Sequence, residues 1–150
     1  MINITMTSPA IYTSLDKSFA KLGTRLFTVT CHDEAAGLHH RVYSSNSDAY
    51  PAGGTKPLTH DGWYALCVTA QKIFVANTPA EFAKYFFDHA LITSLNLGSC
   101  INIPVVHQSQ VLGTLNLLAS AHHFTAEKLA RYAQIVTQNH QGLIAQMLNE

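Results

Sequence analysis

The residues that could carry chemistry in this chain are its nine histidines and three cysteines. His39 and His40 are neighbours in a predicted strand, so their side chains point to opposite faces and cannot readily hold one ion. Cys31, Cys67 and Cys100 are far apart and form no C-x-x-C pair, which argues against a zinc site or a disulfide scaffold. The pattern therefore predicts buried, inert thiols and no dedicated metal site.

A catalytic nucleophile is not indicated either. No G-x-S-x-G elbow occurs in the sequence. Asp88 and His89 are neighbours on a predicted helix, where successive side chains diverge by about 100°. We therefore predict no catalytic residue and a non-enzymatic role.

More informative are two amides in apolar surroundings. Asn102 and Asn116 lie among Ile, Val and Leu in two β-rich runs that span 99–119 and meet at a short polar link. Asn is disfavoured in strands, and a buried amide needs partners from protein, water or ligand. A structural amide and a ligand contact explain these positions equally well. Pairing Val106 with Val111 would place the two amides on opposite faces, and a one-residue slip would exchange their partners.

Aromatic side chains with polar tips lie in the segments that precede these runs. Flat amphipathic rings suit the wall of a mostly apolar small-molecule pocket, although core packing explains them as well. The ligand predicted for such a pocket is small and largely uncharged, because no Lys or Arg clusters near its expected roof beyond Lys56. The predicted ligand-binding residues, of which some subset lines the pocket, are Tyr43, Tyr50, Trp63, Asp88, Asn102 and Asn116.

The elements that position these residues follow from apolar periodicity. The hairpin at 99–119 is apolar at nearly every position, so we expect it at the centre of a sheet covered on both faces, with Pro104 at a bulge or an edge. The other predicted elements are helices at 8–22 (capped by Ser8), 60–71, 81–97 and 126–148, a hairpin at 25–33 and 38–44, a loop at 45–59 and a short strand at 73–76.

Composition narrows the class of protein. The 150 residues carry nine Lys and Arg against nine Asp and Glu, and no basic run suggests a nucleic-acid partner. No apolar run is long enough to span a bilayer, and residues 1–10 lack the features of a signal peptide, so we expect a cytoplasmic protein that contacts no membrane. We expect one domain over 1–150, with a helical extension at about 8–22 and a core from about 24 to 150.

Several groups of residues resemble the GAF domain family, in particular a small stand-alone bacterial branch of it. The resemblance covers roughly Thr24 to Glu150. The groups that carry it are Ser99-x-x-Asn102-x-Pro104-Val105, the run VLGTLNLL at 111–118, Phe124-Thr125-x-Glu127, Tyr50-Pro51-x-Gly53-Gly54-x-Lys56-Pro57, Trp63 and the run FDHALI at 87–92.

This resemblance implies an α+β fold with a PAS-like antiparallel sheet of five or six strands. The terminal helices would pack on one face, and the helices and loops of 45–97 would cover the other. It also implies a sensory or regulatory module that binds an unidentified small organic molecule, acts without an output domain in cis and forms a homodimer through its terminal helices.

Two alternatives remain open. The first is a GAF-type enzyme such as free methionine-(R)-sulfoxide reductase, but this chain has Trp63 and Thr93 at the positions that correspond to the enzyme's cysteines. Cys100 takes the position of its acidic residue. The second alternative is a purely structural dimerisation module whose pocket is filled by its own side chains.

Overall fold

A computed structural model describes residues 9–150, which form a six-stranded antiparallel sheet with helices on both faces. The strands are β1 (Leu26–Asp33), β2 (Leu38–Ser44), β3 (Thr55–Pro57), β4 (Phe74–Ala76), β5 (Ser99–His107) and β6 (Gln110–Ala119). The helices are α1 (Ala10–Leu22), α2 (Gly62–Tyr64), α3 (Pro79–Ala83), α4 (His89–Ser94), α5 (Ala126–Gln138) and α6 (His140–Met147). A π-helical turn at Ala65–Thr69 continues α2. Ser8, the predicted cap of the first helix, lies outside the described residues.

The strand order β3-β2-β1-β6-β5-β4 places the predicted hairpin, now β5 and β6, inside the sheet. Antiparallel pairing with helices on each face confirms the expected α+β class. Within residues 9–150, none of the helices combines the length and the apolar character that crossing a bilayer requires.

One face of the sheet, which we call the helix-covered face, packs against α1, α5 and α6. Alternate strand residues such as Phe27, Val29 and Leu115 are completely buried there. From the helices, Phe19 of α1 and Tyr132 of α5 complete the contact, with ring centroids 5.6 Å apart. This side of the molecule is a continuous apolar core.

The opposite face, which we call the cavity face, lies under a roof formed by residues 45–97. Phe82 of α3, Ile92 of α4 and Cys67 of the π-helical turn pack there against Leu26 and Leu118 of the central strands. This second apolar cluster anchors the roof at one side of the sheet, and the rest of the face carries polar side chains.

The helix predicted over 81–97 is wrong as a single element, since α3 and α4 are separate. The chain turns between them so that Phe86 packs on Phe74, with ring centroids 5.6 Å apart, while Phe87 is 87% exposed. Aromatic residues and Asp are poor helix formers, so the contacts of Phe86 and Asp88 with other elements override the periodic pattern.

The predicted final helix also divides, at Asn139. The side-chain amide of Asn139 donates a hydrogen bond of 2.8 Å to the carbonyl of Ile135, while its backbone N–H turns to Val136. An Asn side chain that competes for a backbone carbonyl in this way interrupts a helix. The apolar stripe still faces the sheet, because Tyr132, Val136 and Leu143 are buried on both sides of the break.

The segment predicted as a loop over 45–59 contains the short edge strand β3. Its pairing with β2 places Lys56 opposite His39 and Pro57 opposite Leu38. Pro is tolerated here because the strand is at an edge, where a missing N–H costs no ladder bond. The sequence pattern does not predict this strand because its three residues are all exposed and show no alternation.

A bulge in the central hairpin decides where its two amides point. Val106 pairs with Val111 as the tight link requires, but the register shifts by one residue between Val105 and Val106. Asn102 therefore lies opposite Asn116 rather than opposite Leu115, and both amides face the roof. The extra residue is Leu112 of β6, opposite the step from Val105 to Val106 and close to Pro104, where an irregularity is predicted.

Candidate functional site

A cavity of about 230 Å³ lies between the cavity face and the roof. The sheet contributes small polar side chains, among them Thr28 of β1 and Asn116 of β6, to its floor. The roof contributes larger groups, Tyr50, Trp63 and Asp88. Apolar surface comes from residues such as Leu26, Phe86, Ile92 and Leu118, so the cavity combines an apolar part with a polar floor.

A directed chain of hydrogen bonds crosses the floor and joins it to the roof. The indole N–H of Trp63 donates to Asn102 Oδ1 at 2.9 Å, and Asn102 Nδ2 donates to Asn116 Oδ1 at 2.8 Å. Asn116 Nδ2 then donates to the hydroxyls of Thr28 and Thr30 at 3.1 and 3.0 Å. Both amides thus have hydrogen-bond partners within the protein, as the structural role considered for them requires. Both also line the cavity.

A second link closes the roof through Tyr50 and Asp88. The phenol of Tyr50 donates to Asp88 Oδ2 at 2.8 Å, which joins the 45–54 segment to the turn before α4. Burial and the neighbouring carboxylate raise the pKa of Tyr50, so the phenol stays a neutral donor. The guanidinium of Arg41 lies over the Tyr50 ring, 5.0 Å from its centroid.

Tyr43 is not part of the cavity, contrary to the predicted set. It lies on the helix-covered face, where its ring packs 5.6 Å from that of Phe27 and its hydroxyl donates to Asp16 of α1. The cause is a bulge in β2, since Arg41 pairs with Thr30 while Tyr43 pairs with Val29. Val42 is the extra residue, and it reverses the alternation beyond Arg41.

The remaining predicted residues, Tyr50, Trp63, Asp88, Asn102 and Asn116, all line the cavity. Sequence reasoning missed several others, namely Thr28, Thr30, His39, Arg41 and Thr114. The alternation of Leu26, Thr28 and Thr30 in the first hairpin could have indicated a polar face. Arg41 alternates with His39 ahead of the bulge, but nothing in the sequence marks that side of β2 as the cavity side.

His32 and His39 pair across β1 and β2 on the cavity face, with ring centroids 5.8 Å apart. Burial lowers the pKa of each to about 4, and the charges of Lys56 and Arg41 add to the effect at His39. Both imidazoles are therefore neutral at pH 7. In the described part of the chain, no group of three or more His, Cys, Asp or Glu side chains could hold a metal ion.

The three cysteines are buried and free. Burial raises the pKa of the Cys31 and Cys67 thiols to about 12, and that of Cys100 still further. A thiol reacts through its thiolate, so these side chains are in the unreactive form at neutral pH. Cys100 lines the cavity, and its thiol donates to Asn102 Oδ1 at 3.9 Å.

Solved structures provide the decisive comparison. A GAF domain/HD domain protein from Geobacter sulfurreducens matches with a TM-score of 0.73 and 15% identity, over 98% of this chain and 97% of that one. The GAF domain of a two-component sensor histidine kinase from Bacillus halodurans matches with a TM-score of 0.72 and 14% identity, over 93% and 95%. The chain has the GAF fold.

Other GAF-fold structures match at similar distance. The cyanobacteriochrome receptor PixJ aligns with a TM-score of 0.65 and 14% identity, over 88% of this chain and 91% of the other. No protein-family model and no curated protein matches the sequence. At such low identity the likeness concerns the GAF fold alone, and the chemistry of the cavity has to be argued from its own residues.

Proposed function

We propose that this GAF domain is a sensory module that binds a small organic molecule in the cavity between the sheet and the roof. The observation that carries the proposal is the link from Trp63 through Asn102 and Asn116 to the central strands. A molecule that enters the cavity contacts both ends of this chain, so its binding changes how the roof is held to the sheet. Domains of this fold in a sensor histidine kinase and a cyanobacteriochrome receptor support a sensory role.

Trp63 provides the readout for the first experiment. It is the one tryptophan in the chain and lines the cavity, so its fluorescence reports on occupancy. We expect compounds from a panel of small metabolites to shift the emission of Trp63, and native mass spectrometry to show one bound copy. The volume lies just below the usual range of about 300–1,000 Å³ for drug-sized ligands, so the molecule is small.

A cavity-filling variant distinguishes this site from other surfaces. Thr30→Phe places a ring in the cavity and is expected to abolish the fluorescence response. The matched control is Thr137→Phe, which makes the same change at an exposed position of α5. An unchanged response in the Thr30→Phe variant would refute the proposal. The absence of any response to the whole panel would favour a purely structural module.

The enzymatic alternative receives less support. A methionine sulfoxide reductase needs reactive thiols, and burial holds Cys31, Cys67 and Cys100 in the protonated form. We expect no reduction of free methionine sulfoxide, and we expect the triple Cys→Ser variant to keep any ligand response. Turnover that depends on one of these cysteines would overturn the binding interpretation.

The proposal includes a homodimer through the terminal helices. Several apolar side chains of α1, α5 and α6 are only partly buried within one chain, for example Ile11, Leu129 and Ile144. A two-fold helical bundle would cover them. Sedimentation should give a species of twice the 16.4 kDa chain mass, and a lone monomer at micromolar concentration would contradict this.

A further inference from the structure

The guanidinium of Arg41 has one edge that no protein group uses. Its Nη1 donates to the carbonyl of Pro51 at 3.0 Å. Its Nε is buried and has no hydrogen-bond partner among the described residues. An Nε–H and the neighbouring Nη2–H of an arginine form a parallel pair of donors, which matches the two oxygens of a carboxylate. Arg41 is therefore held by Pro51 and Tyr50 with its bidentate edge unpaired.

Other unpartnered polar groups accompany this edge at the same end of the cavity. The hydroxyl of Thr114, 1% exposed, has no hydrogen-bond partner in the described chain, and neither has Nδ1 of His39. Thr114 and Arg41 both pair with Thr30, on its two sides, so all three side chains lie on adjacent strands of the cavity face. Buried polar groups are normally hydrogen-bonded, and so this cluster points to an acceptor that the protein does not supply.

We infer that the ligand of this cavity is a small carboxylic acid, bound as its anion by Arg41 with help from Thr114 and carrying an apolar body. This inference rests on the proposed binding function and names its ligand class. It replaces the uncharged ligand predicted from the sequence, because the structure adds Arg41 to Lys56 in the cavity lining. The apolar body would lie against surface such as Leu26, Ile92 and Leu118.

A carboxylate fits better than a phosphate. Two acids, Asp61 and Asp88, line the same cavity as the two cations Arg41 and Lys56. A group with a charge near −2 would be repelled by both acids, whereas one carboxylate is matched by one guanidinium edge.

Access to the site is through its rim. The Nε atom of Arg41 is closed off from solvent, so a ligand must displace part of the lining to reach it. Lys56 and Phe87 are exposed and form part of that lining, with the ammonium 5.6 Å from the ring centroid. Because both side chains are exposed, they can move aside with little loss of buried contacts.

The test compares phenylacetate with phenylacetamide, which has nearly the same shape but no charge. Calorimetric titration at fixed ionic strength, with phenyl phosphate as a third probe, measures all three affinities. We expect phenylacetate to bind at least tenfold more tightly than either of the others, because a charge-assisted bidentate pair replaces unpaired donors. Equal affinities, or a preference for phenyl phosphate, would overturn the inference.

Variants locate the effect. Arg41→Gln should remove the preference for the acid over the amide, and Arg41→Lys should keep only part of it. Arg25→Gln is the matched control, since Arg25 is exposed and outside the cavity, and it should leave the preference unchanged. A preference that survives in Arg41→Gln, or disappears in Arg25→Gln, would contradict the assignment.

The two proposals fail separately. If the amide shifts the fluorescence of Trp63 while the acid does not, the cavity binds ligands and only the carboxylate inference is lost. If the acid, the amide and the metabolite panel all leave Trp63 unchanged, the binding function fails with it. The comparison of probes on the unmodified protein does not depend on whether any variant folds.

Discussion

The two faces of the central sheet are built from the same strands but differ in kind. On the helix-covered face, Phe27, Val29 and Leu117 are fully buried against apolar helices. On the cavity face, the alternate residues Thr28 and Asn116 belong to a hydrogen-bonded chain beneath a cavity. The difference shows that stability and recognition can be assigned to alternate residues of one strand, so that either can change with limited effect on the other.

The largest effect is expected on the helix-covered face. Phe19→Ala removes a completely buried ring that contacts Phe27 and Tyr132. We expect the free energy of unfolding, measured with urea, to fall by about 3–5 kcal/mol. The control is Phe87→Ala on the other side of the molecule, where the ring is 87% exposed and the change should stay within about 0.5 kcal/mol. Similar losses of unfolding free energy in the two variants would contradict this difference between the two faces.

Low pH should destabilise the protein through the buried histidines of the cavity face. Burial lowers the pKa of His32 from 6.5 to about 4, so between these pH values the unfolded state binds the proton and the folded state does not. Stability is therefore full above pH 6.5 and falls as the pH drops towards 4, by on the order of 3 kcal/mol for His32. Its neighbour His39, which senses Lys56, Arg41, Asp61 and His40, changes in the same direction.

The check is the free energy of unfolding from urea titrations at several pH values. His32→Phe should remove a large part of the decrease, because the ring is kept but its titration is lost. His89→Phe serves as the control, since His89 is exposed on α4. If the decrease is unchanged in the His32 variant, the pH dependence has another source.

A smaller loss is expected when the hydrogen-bonded chain is broken. Asn116→Leu leaves Asn102 Nδ2 without its acceptor at 2.8 Å, and the expected cost is about 1–3 kcal/mol. The double variant with Asn102→Leu and Asn116→Leu should lose less unfolding free energy than the two single variants together. The expected coupling energy in this double-mutant cycle is about 0.5–3 kcal/mol. Strict additivity would mean that the two amides act independently.

The smallest effect concerns the roof. Trp63→Phe removes the N–H that donates to Asn102 at 2.9 Å, and we expect a loss of about 1 kcal/mol. Tyr64→Phe is the control, because its hydroxyl bonds Glu34 at the exposed surface and should contribute less. Hydrogen exchange in β5 should increase in the Trp63 variant alone, and equal exchange in both would argue against the link.

The fold could be predicted from the sequence because its signals are local. The apolar runs at 99–119, their short link and the motif around Asn102 and Phe124 indicate a central hairpin of GAF type, and the structure confirms it. The same resemblance places Trp63 and Asp88 in the segment that covers the hairpin. These inferences need only periodicity and a motif, and neither depends on contacts between distant residues.

The parts that failed depend on events that periodicity cannot describe. The β2 bulge moves Tyr43 to the helix-covered face and leaves Arg41 on the cavity face. The turn before α4 exists because Phe86 and Asp88 find partners in distant segments. Such features are decided by tertiary contacts, so a pattern that counts residues along one strand or helix misassigns everything beyond the irregularity.

The two bulges also bear on how a cavity of this kind could diverge. Loss of Val42 would leave Arg41 opposite Thr30 and Tyr43 opposite Val29, since Val42 is the extra residue of the β2 bulge, whereas a deletion in a regularly paired part of a strand would move the residues beyond it to the other face. Loss of Leu112, the extra residue of β6, would likewise keep Asn102 opposite Asn116. The two bulges are thus positions at which the domain could lose a residue during evolution while the side chains that face the cavity stay the same.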